Sequence, residues 1–464
     1  MNKTVKAVLS VILCFILITP LTAFAREQTE KCSGNVTVTY LNDSYAHDYT
    51  ITDPYAAVDW DTWGQYKAAL HCHTNASDGA PSIAECVEEH YRLGFDILAI
   101  SDHAVIGKQW NEVPDMVPLY RLFKYERTKM ADPEVLTAQR RAEILSGADR
   151  NGRGMLEVTG VCEANGATPI NDCHINTLWS DYGQAKMGSY GDYETVVAAA
   201  DKDGGLSFLD HTGEYVGCED DEPRASEPYY YNKFANIFLD HDSCVAFDIN
   251  SGKNNRTRYD VDIWDNILQL TLPKGRNVPC ITFSDGHLLD EYDRAFTMML
   301  MPENTVEALR TCLENGTWFS VGRFARKDLG EDFEGKGEPP RVDRVTVDNE
   351  NDVISFEGGE YSYIKWISDG KVIREGTDCT SIDLNDFSDE EIGQYVRFQI
   401  TGEGGILYSQ AFPVACDDIV YTSSVYRTYD FSYFFRKFVN ILEFFFGKSM
   451  LVTLVREVLW GTHW

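Results

Sequence analysis

The chain has 464 residues, 41 Lys and Arg against 73 Asp and Glu, and a formal net charge of −32. That acidity excludes broad nucleic-acid binding, which needs clustered cations, but leaves room for a small phosphorylated substrate held by a few local ones. The length predicts two or three domains, and 44% hydrophobic with 25% charged residues is an ordinary globular composition.

Residues 1–25 (MNKTVKAVLSVILCFILITPLTAFA) carry Lys3 and Lys6, then an apolar core, then an Ala23-Phe24-Ala25 cleavage signal. That is the pattern of a signal peptide, so the mature chain is expected to be exported: secreted, at the cell surface or periplasmic. Cleavage removes two lysines and no acid, leaving 39 bases against 73 acids, or −34. It also removes Cys14, leaving eleven of the 12 cysteines, an odd number with no CxxC spacing and no readable pairing. Residues 26–65 form a lead-in segment.

From about 66 to 329, short apolar runs alternate with helical patterns. Lys67–His71 is the first run. Ser82-Ile83-Ala84-Glu85 is a capping box opening a helix that should stop at Gly94. Phe95–Ser101 reads as a strand buried on both faces. Further runs lie at Leu156–Cys162, His174–Leu178, Leu206–Leu209, Val245–Ile249, Val278–Phe283 and Trp318–Val321. Helical patterns fall at Tyr193–Lys202, Tyr259–Leu270 and Thr305–Asn315. The alternation predicts an α/β domain, barrel-like or doubly wound.

Residues 330–341 (GEDFEGKGEPPR) read as a linker, and 342–415 as a small all-β domain. Trp366 and the Gly393–Arg397 stretch are similar to features of immunoglobulin-like sandwiches, without their paired cysteines. Residues 425–464 form an aromatic, amphipathic helical tail. Its Arg427, Arg436, Lys437, Lys448 and Arg456 outnumber its acids, so it suits either peripheral contact with an anionic membrane or packing on the protein.

Chemistry concentrates at strand ends. His71-Cys72-His73 closes the first strand, where i and i+2 share a face, so both imidazoles face one site. Asp78 follows in the HTNASDG loop. Ser101-Asp102-His103, Cys162-Glu163, Leu209-Asp210-His211 and Ser284-Asp285-Gly286-His287 end other runs, and His174 opens one. Imidazoles and carboxylates together suit Zn, Mn or Fe rather than Ca²⁺. Lys253, Arg256 and Arg258, in the loop after Val245–Ile249, are candidates to bind a substrate phosphate. Asp102, Asp210 and Glu214 are acids near the metal rim, one of which could fix a histidine tautomer.

HCHTNASDG, ISDH and SDGH together resemble motifs of the PHP (polymerase and histidinol phosphatase) superfamily of metallohydrolases over roughly residues 66–325. The resemblance implies a distorted (β/α)7-type, TIM-like barrel of parallel strands with two or three divalent metal ions at its C-terminal rim. One ion would be held by His71, His73, Glu163 and Asp285, a second by Glu163, His174 and His211, and a third by Asp78, His103 and His287. His174 and His211 rest on the shortest motifs, and His241 competes with them in sequence. Glu112–Ile144 has no counterpart in the family and reads as an insertion.

The expected activity is a metal-dependent phosphoesterase using a metal-bridging hydroxide, with Glu163, His211 and Asp285 as catalytic residues. Two other readings are a PHP-like hydrolase of carbamates, amides or carboxylic esters, and a non-catalytic surface-binding protein on the same scaffold.

Overall fold

The computed structural model describes residues 35–41, 47–116, 132–165, 173–185, 193–216, 225–251, 257–388 and 390–428. The expected signal peptide, Lys253, Arg256 and nearly all of the aromatic tail lie outside the described residues. Among the described residues no helix is long and apolar enough to cross a membrane.

Two leading strands, β1 (Val36–Tyr40) and β2 (Tyr49–Ile51), precede β3 (Gly64–Ala69), α1 (Ile83–Arg92), β4 (Ile97–Ala99) and α2 (Ala138–Ser146). The chain continues through β5 (Leu156–Val158), β6 (Val161–Asn165), β7 (His174–Leu178), α3 (Tyr193–Lys202), β8 (Leu206–Asp210) and α4 (Thr212–Val216). Then come α5 (Pro228–Asp240), β9 (Cys244–Asp248), α6 (Asp260–Thr271), β10 (Cys280–Ile281), β11 (Ala295–Met301), α7 (Val306–Asn315), β12 (Trp318–Gly322) and α8 (Arg326–Leu329). The architecture is mixed α/β with several sheets.

Local chemistry explains several boundaries. At α1, Glu85 N–H donates to Ser82 Oγ at 3.2 Å and Ser82 N–H donates to Glu85 Oε2 at 2.7 Å, completing the capping box. The helix stops before Gly94, whose φ of +81° disfavours any residue with a Cβ. The run expected over 156–162 is two strands, broken where Gly160 takes φ +73°. On α2, in the insertion, Arg140 pairs with Glu88 of α1 at 2.7 Å, and Ile144 is buried.

In one sheet β3 lies between β4, parallel, and β11, antiparallel; β5 extends it beyond β4 and β12 beyond β11. In a second sheet β8, β9 and β10 are parallel, but β7 is antiparallel to both β6 and β8. The expectation of parallel strands throughout is thus corrected. Parallel neighbours need a crossover of about a dozen residues or more, which the connection 166–173 does not supply. Two isolated bridges, Cys72 with Gly286 and His103 with Glu163, link the two sheets.

The C-terminal part contains β13 (Arg341–Asp348), β14 (Val353–Gly359), β15 (Tyr363–Ser368), β16 (Lys371–Gly376) and β17 (Ser381–Asp383). It ends with β18 (Tyr395–Gly402), β19 (Gly405–Tyr408), β20 (Phe412–Cys416) and β21 (Ile419–Ser423). β12 pairs antiparallel with β19, through Ser320 with Tyr408, Val321 with Leu407 and Gly322 with Ile406. One sheet therefore runs across the stretch read as a linker. That stretch is also tied down, with Gly335 N–H donating to Arg323 O at 2.9 Å and Lys336 N–H to Glu403 O at 2.8 Å. Core packing is likewise shared: Tyr55, Leu98 and Phe319 belong to the same buried cluster as Trp366, Phe398 and Phe412.

Buried polar contacts join this part to the α/β part. Arg397 of β18 makes a bidentate pair with Asp265 of α6, Nε to Oδ1 at 2.8 Å and Nη2 to Oδ2 at 2.7 Å. Tyr395 OH donates to the same Oδ1 at 2.6 Å. Gln410 Nε2 donates to Cys280 O at 3.0 Å and to Trp318 O at 3.1 Å, while its Oε1 accepts from Cys280 N–H at 2.9 Å.

The β15–β16 hairpin turns on Asp369 and Gly370, at φ +44° and +76°, the Asp-Gly pairing such two-residue turns favour. Burial pushes the Asp369 carboxyl up to about 7, against the Gln394 N–H that donates to it at 2.9 Å, with Asp265 adding repulsion. Between about pH 4 and 7 the folded state therefore holds the extra proton, so this group costs stability as pH rises through that window. We expect Asp369→Asn to keep the turn and its acceptor. It should raise the melting temperature at pH 8 by the equivalent of about 1 kcal/mol, with little effect at pH 4. A thermal melt at both pH values checks this; an equal change at both would refute it.

Candidate metal centre

The strand ends bring nine predicted ligands to one place. Glu163, in β6, is wholly buried and turns one oxygen to each of two imidazole sets. Its Oε2 lies 3.3 Å from His71 Nε2, 3.0 Å from His73 Nε2 and 2.9 Å from His103 Nδ1. Its Oε1 lies 2.5 Å from His174 Nδ1 and 3.4 Å from His211 Nε2. Asp285 Oδ1 is 3.3 Å from His71 Nε2 and 3.1 Å from His73 Nε2. Asp78 Oδ1 meets His103 Nε2 at 3.6 Å, His287 Nε2 at 3.3 Å and His73 Nδ1 at 3.8 Å.

Three donor groups follow from these distances. His71, His73, Glu163 and Asp285 form one, and His73, Asp78, His103 and His287 a second. His103, Glu163 and His174 form a third, with His211 beside it. The geometry thus adds His73 to the Asp78 set and His103 to the His174 set. His241 is not among them; it ends α5 with Nδ1 3.6 Å from Asp201.

These residues fit divalent metal. Five imidazoles surround one buried carboxylate, yet neither Glu163 oxygen has an N–H aligned as a hydrogen bond, and His71 Nδ1 and His73 Nδ1 are buried and likewise unsatisfied. Leaving such groups uncompensated costs roughly 1–3 kcal/mol each, and more when charged, whereas a cation satisfies them together. The electrostatics show how strongly the carboxylates and imidazoles act on one another. Burial opposes ionisation of Glu163 and Asp285, but the surrounding imidazoles hold both carboxyls well below the usual range. Burial also opposes charging His211 and His287, but neighbouring carboxylates raise both rings to about 10. Burial dominates at His174 and lowers it to about 4, which favours a neutral, lone-pair-bearing ring.

The backbone is bent to make the site. Asp285, His211 and Ala104, the last following His103, have φ of +46°, +28° and +57°, a region non-glycine residues rarely occupy. Gly79 explains the glycine of the SDG motif: a Cβ there would sit 2.6 Å from the His73 carbonyl carbon.

Strand-end acids do the holding. Asp102 accepts from Thr74 N–H at 2.8 Å, Thr74 Oγ1 at 2.5 Å and Ser77 Oγ at 2.5 Å, and so fixes the loop that carries Asp78. It orients that loop rather than a histidine tautomer. Asp210 Oδ1 lies 3.7 Å from His71 Nδ1, on the far side of the ring from Glu163. Asp248, at the end of β9, accepts from His211 N–H at 3.2 Å and from the Ser251 hydroxyl. It was not singled out from sequence, although its position at a strand end matches that of Asp210. The expectation for Arg258 changes: its Nη1 lies 2.8 Å from Glu331, so a carboxylate already partners it. Lys253 and Arg256 lie outside the described residues.

No protein-family model matches the chain, and no curated protein matches it. Solved structures do. A two-domain protein from Bacteroides vulgatus containing a predicted PHP-like metal-dependent phosphoesterase aligns over 80% of this chain and 100% of its own, at 16% identity and TM-score 0.39. A lesion-specific endonuclease from Pyrococcus furiosus aligns over 54% of this chain and 56% of its own, at 12% identity and TM-score 0.31. A putative metal-dependent phosphoesterase from Bifidobacterium adolescentis aligns over 47% of this chain and 87% of its own, at 12% identity and TM-score 0.25.

Proposed function

We propose that this chain is a metal-dependent hydrolase of the PHP kind, acting on phosphate esters. The observation that carries the reading is Glu163, a wholly buried carboxylate with one oxygen toward His71, His73 and His103 and the other toward His174 and His211. Two or three divalent ions (Zn, Mn or Fe) would be held by His71, His73, Asp78, His103, Glu163, His174, His211, Asp285 and His287. When bound, such ions supply Lewis acidity and make water a nucleophile near neutral pH.

The chain's own part is placement. His287 Nδ1 donates to its neighbour's carbonyl, Asp285 O, at 2.9 Å, which keeps Nε2 directed at Asp78. Asp210 stands behind His71 and Asp248 holds the His211 backbone, so both rings are aimed at Glu163. Asp285, His174 and His287 are the partly exposed members of the set, and they mark the side on which substrate would enter.

A finer fold reading belongs with this proposal. A distorted (β/α)7-type barrel is supported by the two bridges that link its sheets, with an immunoglobulin-like β unit following it. Export, and peripheral membrane contact through the 425–464 tail, remain part of the proposal on the sequence grounds above. The pairing of Arg258 with Glu331 engages one of the three cations on which the phosphate preference rests, and hydrolysis of carbamates, amides or carboxylic esters is the second reading.

The test is to measure bound metal in the purified mature chain. p-Nitrophenyl phosphate, bis-p-nitrophenyl phosphate and an aryl carbamate are then assayed beside a His71→Ala/Asp285→Ala variant. Metal-dependent phosphate-ester turnover, lost in the variant, is expected. Carbamate turnover alone would promote the second reading. Metal near zero and no turnover would leave the scaffold as a surface-binding protein.

A further inference from the structure

Behind the strand tip that carries His71 and His73 lies a second donor cluster, of different chemistry. Cys72 separates the two histidines and points the opposite way, into the core against α1. Cys86 and His90 sit one turn apart on the buried face of α1, the i and i+4 spacing that places two side chains side by side. All three are wholly buried. The sulfurs are 3.8 Å apart, and a ring nitrogen of His90 lies within 4.8 Å of both.

We propose that Cys72, Cys86 and His90 bind one thiophilic cation of the Zn²⁺ class, separate from the catalytic cluster. Three observations carry this. First, two sulfurs bound to one tetrahedral Zn²⁺ at about 2.3 Å are separated by roughly 3.8 Å, the spacing found here. Second, His90 Nδ1 lies 2.8 Å from the carbonyl oxygen of Cys86 and 3.6 Å from its Sγ, which places the proton on Nδ1 and leaves the ring's lone pair on Nε2. That Nε2 is buried without a hydrogen-bond partner. An imidazole held by a backbone carbonyl through one nitrogen is the usual setting of a metal-bound ring. Third, two thiolates cancel a divalent charge, so the filled site is neutral and suited to burial.

Binding replaces two S–H protons, which pass to solvent, and the ion enters as the chain folds. The Tyr292 ring lies over His90 at 4.2 Å between centroids, and its hydroxyl donates to His73 O at 3.1 Å. The site therefore fastens α1 to the backbone between two catalytic ligands.

Cobalt is the probe that separates this site from the first. The catalytic set holds only nitrogen and oxygen donors, so Co²⁺ there gives no thiolate charge-transfer absorption in the near ultraviolet. The full mature chain, reduced and then saturated with Co²⁺, is expected to show that absorption at one equivalent per chain. It should be lost in Cys86→Ser and in Cys72→Ser and weakened several-fold in His90→Ala, but kept in Glu163→Gln, which alters only the nitrogen and oxygen set. If one of these variants fails to fold, Cys416→Ser, which removes the thiol of the separate His47, Cys416 and Asp418 group, should leave the band unchanged, and its loss there would overturn the proposal. No near-ultraviolet band in the wild type would overturn the proposal. So would a band that survives Cys86→Ser, or isolation of the untreated chain with Cys72 and Cys86 joined in a disulfide.

Discussion

Replacing Glu163 with Gln is expected to lower bound metal by at least one equivalent per chain. Turnover of a p-nitrophenyl phosphate ester should fall by at least about 10²-fold. Gln has nearly the same shape, so packing is kept. What goes is the negative charge facing five imidazole nitrogens at 2.5–3.4 Å, and with it one of two oxygens that can join neighbouring ions. His71 and His211 should respond as well. Burial works against their charged forms, and Glu163 is prominent among the groups that outweigh it and raise them to about 9 and about 10. Metal analysis and steady-state kinetics at saturating metal check the expectation. Activity within tenfold of wild type, with full metal content, would remove Glu163 from the centre of the scheme.

The second large effect lies far from that chemistry. Arg397→Met should destabilise the chain by about 3–5 kcal/mol, because it strands the Asp265 carboxylate, only 4% exposed, between α6 and β18. Arg397→Lys should restore little of this, since an ammonium cannot make the two parallel N–H contacts of the guanidinium. The double variant Asp265→Leu/Arg397→Met should recover most of the loss, because no buried charge is then left alone. Urea denaturation midpoints of the three variants measure it. A single variant within about 1 kcal/mol of wild type would show that water reaches this pair.

Much of the candidate metal centre was legible because strands impose a period of two and end at one rim. His71 and His73 had to share a face, and Asp285 with His287 repeats the pattern. Gly79 was legible as part of a motif, but its reason, the close approach of the His73 backbone, is tertiary. Other features depend on residues distant in sequence. Arg258 reads as a loop cation until Glu331 arrives beside it. Asp265 and Arg397, separated by 132 positions, carry no local sign of each other. β11 was missed altogether: AFTMMLM is apolar enough for a strand, but nothing local says that it inserts antiparallel between β3 and β12. Asp102 reads only as one of three acids near the rim, and its contacts with Thr74 and Ser77 depend on the loop folding back. The 330–341 stretch has the composition of a spacer, and composition is silent on whether a sheet continues past it.

That continuity bears on how the molecule could be divided. A chain cut after α8 would leave β12 with an open flank along Ser320, Val321 and Gly322, its backbone groups stripped of their β19 partners. It would also lose Gln410, which answers the carbonyls of Cys280 and Trp318 in the interior. Such an exposed edge invites pairing with another copy of itself. The α/β part is then better regarded as an unfinished sheet than as a free-standing unit, and the β-rich part as the piece that seals it.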